Sequence, residues 1–569
     1  MTATQRSPHG ADYTVEVNST AAPDGPLIVQ SDRTVLLEVA HPAADDARHD
    51  LSVFAELERA PEHIHTYRIT RLGLWNARAA GHTAEDMIAT LEKYSRFAIP
   101  QSVTVDITET VGRYGRLVIE RDNDGVLTLT ATDAAVLSEI SRARKVAALL
   151  FEKRGDNTYV MQPWARGELK QELLKLGWPA EDNAGYSPGT PHEIALNNAD
   201  GWALRDYQNK AVSNFFDHGS GVVVLPCGAG KTLVGAGAMA VGKTTTLILV
   251  TNTVSARQWR AELLKRTTLT EDEIGEYSGQ VKEVRPVTIA TYQILTARRK
   301  GEYAHLALLD ALDWGLVIYD EVHLLPAPVF KLTAELQARR RLGLTATLVR
   351  EDGREGDVFS LIGPKRFDAP WKEIEAQGFI SPAACFEVRV DLPQQERLEY
   401  AASADDERYR LAATAPAKLA VVRQLVAKHA GERILVIGQY LDQIEQLADA
   451  LNAPSLTGST PIAERERLYQ EFRDGRLTTL VVSKVANFSI DLPEATVAIQ
   501  VSGSFGSRQE EAQRLGRLLR PKESGLSANF YTLVARDTVD QDFAQNRQRF
   551  LAEQGYSYTI LDAQSLEAA

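Results

Sequence analysis

From residue 200 onward, short β-branched runs alternate with stretches of helical pattern, and that alternation admits few folds. Val222-Val223-Val224-Leu225, Thr246–Val250, Val287–Ala290, Leu316–Tyr319 and Arg341–Leu344 form a first series. Ile434–Ile437, Thr479–Val482, Val497–Gln500 and Phe530–Leu533 form a second. Runs this short and this apolar are strands buried on both faces, and helical crossovers make such strands parallel. The expected fold class is therefore α/β, with two tandem parallel-sheet lobes and a ligand between them.

The preceding residues follow another grammar. Residues 1–25 are polar, rich in Ala, Thr and Pro, and predict a disordered tail. Strands are expected at Ile28–Gln30 and Val35–Val39, then amphipathic helices near 44–59, 70–80, 83–94 and 101–113. Asp122-Asn123-Asp124-Gly125 between Leu117–Glu120 and Val126–Leu129 is a hairpin signal. Residues 132–180 read as helical with short strands, and Ala180–Pro191, rich in Gly, Pro, Asn and Asp, reads as a linker. The expected division is an α+β N-terminal domain over 26–120, a second domain over 121–195, and lobes over 196–366 and 367–569. Within the last, residues 392–415 are charged and helical with few apolar anchors, either an exposed linker helix or a projecting insert.

Composition narrows the function. A chain of 569 residues holds several cores. Its net charge of −13 argues against coating nucleic acid with a uniformly basic surface, but not against a locally basic groove. Arg339-Arg340-Arg341 and Arg298-Arg299-Lys300 are candidates for such a groove, or solvated helix ends. Two cysteines, Cys227 and Cys385, support neither a disulfide framework nor a four-cysteine cluster. Cys227 reads as a small filler ahead of a glycine-rich loop. No run of about 18 apolar residues and no secretory leader are visible, so the expectation is a cytoplasmic protein with no membrane partner. His63-x-His65 lacks a well-spaced third ligand for a metal.

Three segments carry the chemistry. Gly228-Ala229-Gly230-Lys231-Thr232 follows one strand run and opens a helix over Leu233–Ala240, so helix N-terminal N–H groups face an anion. The strict pattern Gly-x-x-x-x-Gly-Lys-Thr falls instead on Gly237–Thr244, but Lys243 leaves that helix and enters a strand. Lys231 is therefore the expected phosphate lysine, with Thr232 offering its hydroxyl to magnesium, and Lys243 a surface turn lysine. Asp320-Glu321-Val322-His323 ends a buried strand and aims two carboxylates at the edge where open α/β sheets bind ligands. Asp320 is the expected Mg²⁺ ligand, Glu321 the base that orients water, and His323 a relay to Thr345 or Thr347. In Gln513–Arg520, Arg514, Arg517 and Arg520 lie three apart along one side of a helix. Arg517 and Arg520 are expected as arginine fingers, with Gln513 a polar contact near the γ-phosphate. The ordered set predicts an ATP-driven motor whose site is split between lobes. Among the aromatics, Trp259 reads as core packing four residues before Leu263, while Tyr292 and Phe488 are candidate DNA contacts.

These motifs resemble those of superfamily 2 helicases and, more narrowly, the XPB family in a bacterial form. The narrower resemblance rests on Arg341–Glu355, on Ser507–Ala512 leading into Gln513, on Arg547–Leu551 and on Pro61–Tyr67, and it spans about residues 26–560. It implies two RecA-like lobes, the first binding ATP, preceded by an XPB-like N-terminal domain and a damage-recognition-like domain. It implies ATP- and Mg²⁺-dependent 3′-to-5′ DNA helicase or translocase activity in nucleotide excision repair. It further implies that Arg350-Glu351-Asp352 meets the duplex fork, that Arg205 and Gln208 belong to the adenine-side motif, and that 392–415 is a thumb-like insert. Where the family has Ser-Lys-Val-Gly-Asp, this chain has Ser483-Lys484-Val485-Ala486-Asn487, a departure that bears on coupling DNA contact to hydrolysis. The rival readings are a duplex translocase without strand separation and an ATP-switched DNA-binding or annealing scaffold. With no nuclease motif in the chain, a nuclease partner in trans is expected.

Overall fold

The computed structural model describes residues 25–60, 63–198, 201–226, 228–299, 302–325, 336–346, 355–369, 374, 383–483, 495–503, 528–553, 556 and 558–567. The first series of β-branched runs forms a seven-stranded sheet. We number its strands β1 (Ser220–Val224), β2 (Thr246–Val250), β3 (Ile274–Tyr277), β4 (Val287–Thr291), β5 (Leu316–Asp320), β6 (Arg340–Thr345) and β7 (Lys365–Asp368). Their spatial order is β3-β4-β2-β5-β6-β1-β7, and every pair is parallel. The second series forms another seven-stranded sheet with β8 (Ala383–Val390), β9 (Ile434–Gly438), β10 (Ser455–Leu456), β11 (Thr479–Ser483), β12 (Val497–Gln500), β13 (Ala528–Ala535) and β14 (Tyr558–Asp562). Its order is β10-β11-β9-β12-β13-β8-β14, again all parallel.

The unbroken apolar runs are explained by burial on both faces. On one face of the first sheet Val223, Ile248 and Ile318 join the cluster around Trp259; on the other, Val222, Leu247 and Val317 pack around Trp314. The cluster around Trp259 continues through Ala369 and Ile374 into the second lobe, where it takes in Cys385, Leu435 and Phe530. The second lobe also contains a buried ion pair: Lys418 Nζ lies 2.7 Å from Asp540 Oδ2, with both side chains essentially unexposed. Lys418 also donates to Val501 O at 3.0 Å, and Asp540 accepts from Ala535 N at 3.1 Å. The pair thus ties helices Ala417–Lys428 and Val539–Glu553 to the ends of β12 and β13.

Ahead of the lobes, strands Leu27–Val29, Thr34–Glu38, Ile64–Ile69 and Ala55–Arg59 form an antiparallel sheet in that spatial order. The helix expected over 44–59 ends at Leu51, and Ala55–Arg59 is a strand. Burial there alternates, Ala55 and Leu57 in and Glu56 out, which is the period of a strand. Helices Arg71–Ala79 and Ala84–Tyr94 start at Thr70 and Thr83, whose hydroxyls cap Gly73 N and Asp86 N. A second, five-stranded sheet contains the hairpin Leu117–Arg121 and Leu127–Ala131, with Asp122 Oδ1 accepting from Asp124 N and Val126 N. The linker expected over 180–191 is not one throughout: Ala180–Asp182 adds a parallel strand beside Leu117–Ile119. The expected insert at 392–415 is two helices, Gln394–Ala402 and Asp405–Ala413. The first buries no residue, but the second is anchored by Tyr409, whose hydroxyl donates to Gly503 O.

The N-terminal domain touches both lobes. Asn76 Oδ1 accepts from Lys365 N at 2.9 Å on β7, and Arg366 Nη1 donates to Ala79 O at 3.0 Å. Ala552, in the second lobe, lies in the N-terminal apolar core with Leu57 and Tyr67. The Lys418–Asp540 pair gives a stability test. Removing one member of a buried pair leaves a desolvated charge, so Asp540→Ala is expected to lower unfolding free energy by about 3–5 kcal/mol. Urea unfolding followed by far-UV circular dichroism measures it; a loss under about 1 kcal/mol, the scale of an exposed pair, would contradict the account.

Candidate active site

The strand order brings the motif residues to one edge. β6 lies between β1 and β5, with Val224 opposite Thr345 and Asp320 opposite Leu344. The C-terminal end of β6 therefore separates the glycine-rich loop after β1 from the acidic pair after β5. Gly228 and Gly230 hold φ of 85° and 81°, the left-handed region that a side chain disfavours. A Cβ on Gly230 would come within 2.5 Å of Gln208 Nε2. Lys231 opens the helix Lys231–Gly242, with Thr232 next in it, while Lys243 closes that helix at its C-cap. Lys243 is exposed and pairs with Glu193 Oε2 at 2.9 Å, away from the loop.

Lys231 Nζ lies 3.0 Å from Glu321 Oε1. The other oxygen, Glu321 Oε2, is 3.5 Å from His323 Nδ1, and that nitrogen is 2.6 Å from Thr345 Oγ1. His323 is buried and joins the acidic turn to the end of β6. Asp320 Oδ2 accepts from the Trp259 indole at 2.9 Å, and Asp320 Oδ1 accepts from Glu321 N at 3.1 Å. Burial and the neighbouring Glu321 push the Asp320 carboxyl above the usual carboxylate range, against the pull of Trp259 and Lys231. Burial works to raise Glu321 as well, but Lys231 and His323 outweigh it and hold Glu321 below its ordinary value. Glu321 also sits at φ 48°, a left-handed conformation costly for a residue with a Cβ and characteristic of functional turns.

Gln208 is buried, and its amide is engaged with the loop. Nε2 donates to Ala229 O at 2.9 Å, and Oε1 accepts from Arg205 N at 2.9 Å. Tyr207 OH donates to the same Ala229 carbonyl at 2.7 Å, and Arg205 Nη1 lies 3.2 Å from Tyr207 OH. The helix Asp206–His218 thus braces the phosphate-loop geometry from below, a contribution of Tyr207 that motif reading passed over.

Two expected DNA contacts require correction. Tyr292 is 2 % exposed and donates its hydroxyl to Asp320 O at 2.8 Å, so it braces the acidic turn and presents no face for stacking. In the arginine run 339–341, Arg341 is 1 % exposed and gives its guanidinium to backbone carbonyls, while Arg339 pairs with Asp313. That run does not line a groove. Trp259 is buried as expected, but its N–H makes it a support for Asp320. The signal was available, because a buried indole requires an acceptor. Thr347, Arg350, Glu351, Asp352, Ala486, Asn487, Phe488, Gln513, Arg514, Arg517, Arg520 and Cys227 lie outside the described residues.

The arrangement offers a glycine loop that opens a helix, one ammonium and two adjacent carboxylates, one with a depressed and one with a raised pKa. Thr232 and Asp320 are hard oxygen donors of the kind magnesium takes. Against this geometry, a family model described as the ERCC3/RAD25/XPB C-terminal helicase matches residues 374–568. Residues 202–350 match a model described as the res subunit of type III restriction enzymes. Residues 27–155 match one described as a helicase conserved C-terminal domain, although here they form antiparallel sheets. A protein named DNA 3′-5′ helicase XPB from Kineococcus radiotolerans is 67% identical over 544 residues, covering 96% of this chain and 98% of the relative. A protein of that name from Mycobacterium tuberculosis is 63% identical over 543 residues, covering 95% of this chain and 99% of its own. The XPB helicase/translocase subunit of general transcription and DNA repair factor IIH from Antonospora locustae is 34% identical over 567 residues, covering 95% of this chain and 82% of its own. With the ATPase motifs gathered on one sheet edge and these relatives matched nearly end to end, the chain belongs to the XPB family of superfamily 2 DNA helicases.

Proposed function

We propose that this protein is an ATP-driven 3′-to-5′ DNA helicase that acts in excision repair, with Mg²⁺ and ATP held at the C-terminal edge of the first lobe. The observation that carries the reading is the Lys231–Glu321–His323–Thr345 cluster beside a glycine loop that opens a helix. The residues fit the group. Gly228 and Gly230 hold the loop at left-handed φ, and of the two buried neighbouring acids Glu321 is paired with Lys231 while burial beside Glu321 pushes Asp320 above its ordinary range. Bound Mg·ATP would supply the γ-phosphoryl group, and its metal ion a positive charge beside Asp320.

The chain's own residues do the rest. Lys231, paired with Glu321, is the group that turns to the phosphates. Thr232 and Asp320 are the magnesium donors, and Trp259 and Tyr292 keep Asp320 in place. Glu321, held ionised, accepts a proton or hydrogen bond from the attacking water. His323 reports the state of Glu321 to Thr345, hence to the segment that follows β6. Gln513, Arg517 and Arg520 are the residues we assign to the second half of the site. Arg350, Glu351, Asp352 and Phe488 are those we assign to DNA, and Arg205 and Gln208 those near the base.

Residues 26–120 and 121–195 would then act as an XPB-like platform and a damage-recognition-like domain, and 392–415 as the thumb-like insert. The excision-repair role takes its support from the repair-factor name of the Antonospora relative. A nuclease partner in trans and a cytoplasmic, nucleoid-associated location complete the proposal; among the described residues no helix is long and apolar enough to cross a membrane.

Lys231→Ala is expected to abolish ATP turnover while Lys243→Ala leaves it near normal, read as phosphate release; the reverse pattern would overturn the choice of loop. Glu321→Gln is expected to retain ATP in a filter-binding assay and to slow hydrolysis by about 10²-fold or more, the scale of a lost general base. DNA-stimulated ATPase on single-stranded, duplex and forked substrates, with strand- and triplex-displacement assays beside it, tests the function itself. Unwinding of a fork with a 3′ tail supports the helicase reading. Triplex displacement alone would make the protein a duplex translocase, and DNA binding or annealing untouched by Glu321→Gln, with neither strand nor triplex displaced, would make it a scaffold.

A further inference from the structure

The least expected feature of the described residues is a cluster of buried charge on the side of the first lobe away from the nucleotide edge. Arg166 grips Asp182 through Nε at 3.0 Å and Nη2 at 2.7 Å. Lys170 Nζ donates to Asp182 Oδ2 at 2.7 Å and to Gln337 Oε1. Gln337 Nε2 donates to Leu361 O at 2.9 Å, and Arg341 Nε donates to the same carbonyl at 2.8 Å. Arg166, Lys170, Gln337 and Arg341 are each buried to more than nine-tenths. Two basic side chains, Arg166 and Lys170, therefore share one carboxylate, and Arg341 beside them is met by carbonyl oxygens, including the last carbonyl of helix Glu355–Leu361, where the helix dipole is negative.

The cluster joins separate parts of the fold. Arg166 and Lys170 belong to the helix Arg166–Lys175 and Asp182 to the strand beside it. All lie in the domain of the five-stranded sheet, which opens with strand Leu117–Arg121, ahead of the boundary expected at 121, and spans residues 117–186. Gln337, Arg341 and Leu361 belong to the first lobe. Tyr186 extends the link: its ring lies 5.8 Å from the Arg166 guanidinium and 5.6 Å from that of Arg341, and its hydroxyl donates to Ser220 Oγ at 2.8 Å. Ser220 and Arg341 are register partners at the N-terminal ends of β1 and β6. The other ends of those two strands carry the glycine loop and Thr345. Gln171 adds a second tie, Nε2 to Asp357 Oδ1 at 2.8 Å, to helix Glu355–Leu361.

A hydrophobic replacement of a buried ionic cluster is often neutral or stabilising, so stability alone does not account for this one. What an ionic cluster adds is position, because each donor has a particular acceptor. We propose that Lys170, seated between Asp182 and Gln337, is a positioning residue: through it the domain of residues 117–186 fixes β6 and helix Glu355–Leu361, the two elements flanking residues 347–354, relative to the phosphate-loop strand β1, so that stimulation of ATP turnover by DNA depends on it. This deepens the motor reading above and rests on it. Lys170 touches neither nucleotide nor reacting atoms; it acts through Gln337 and β6.

The test compares Lys170→Met and Gln337→Leu with the wild-type chain for ATP KM, for kcat without DNA, for kcat at saturating forked DNA and for unwinding. In both variants DNA-stimulated kcat and unwinding are expected to fall about tenfold, with KM and DNA-free kcat within about twofold. Because the two residues act through one contact, the double variant should lose no more than the worse single one. Wild-type stimulation in either folded variant, or an equal fall in DNA-free and DNA-stimulated rates, would overturn the proposal. If Lys170→Met does not fold, Gln337→Leu carries the same comparison alone. A wild-type chain that DNA does not stimulate at all would instead sink the motor reading beneath it.

Discussion

Two acids side by side at the end of one buried strand, facing a single lysine, are the constraint on which the rest turns. Asp320 is the last residue of β5, in register with Leu344 of β6, and Glu321 is the residue after it. Lys231 satisfies one of them. The other is left with an indole N–H and a raised pKa. A site in that condition is short of positive charge and favours whatever brings it, which for hard oxygen donors beside an anion loop is a divalent cation carried with phosphate. The left-handed turn at Glu321 and the two left-handed glycines are the local conformational costs of holding this arrangement ready.

Parallel strands allow one edge of a sheet to do chemistry while the opposite edge is held. In the first lobe, β1 and β6 have the phosphate loop and Thr345 at one end and Ser220 and Arg341 at the other. The second domain grips the latter end through Tyr186 and the Lys170 cluster. The N-terminal domain meets the same lobe on β7, at Lys365 and Arg366, and meets the second lobe through Ala552. The two regions ahead of the lobes are thus built into the frame of the motor and are not appended to it.

Much of this was legible because the signals were periodic. Valine and isoleucine runs buried on both faces leave little alternative to parallel strands, and their order placed Lys231, Asp320 and Glu321 at strand ends. Edges were harder. Lys365-Arg366-Phe367-Asp368 has the polarity of a loop because, among the described residues, β7 is an edge strand that pairs only with β1. The helix expected through residue 59 failed because Ala55 to Arg59 alternates over too few residues to outweigh the helix before it. Asp182 looked like a linker acid and Arg341 like a groove arginine because sequence shows charge but not the partners that permit its burial. Tyr292 and Trp259 were read for their ring faces, whereas the structure uses their O–H and N–H. The finger residues and the Arg350-Glu351-Asp352 segment fall outside the described residues, and their roles rest on the motifs alone.

The central claim is that Lys231 and Glu321 hold each other only until nucleotide arrives. A crystal structure of the protein with Mg²⁺ and a non-hydrolysable ATP analogue tests it most directly. The account predicts the Lys231 ammonium within hydrogen-bonding distance of a phosphate oxygen, Asp320 turned to the metal, and Glu321 released from Lys231. A nucleotide bound elsewhere, with the Lys231–Glu321 pair intact at its 3.0 Å separation, would contradict it.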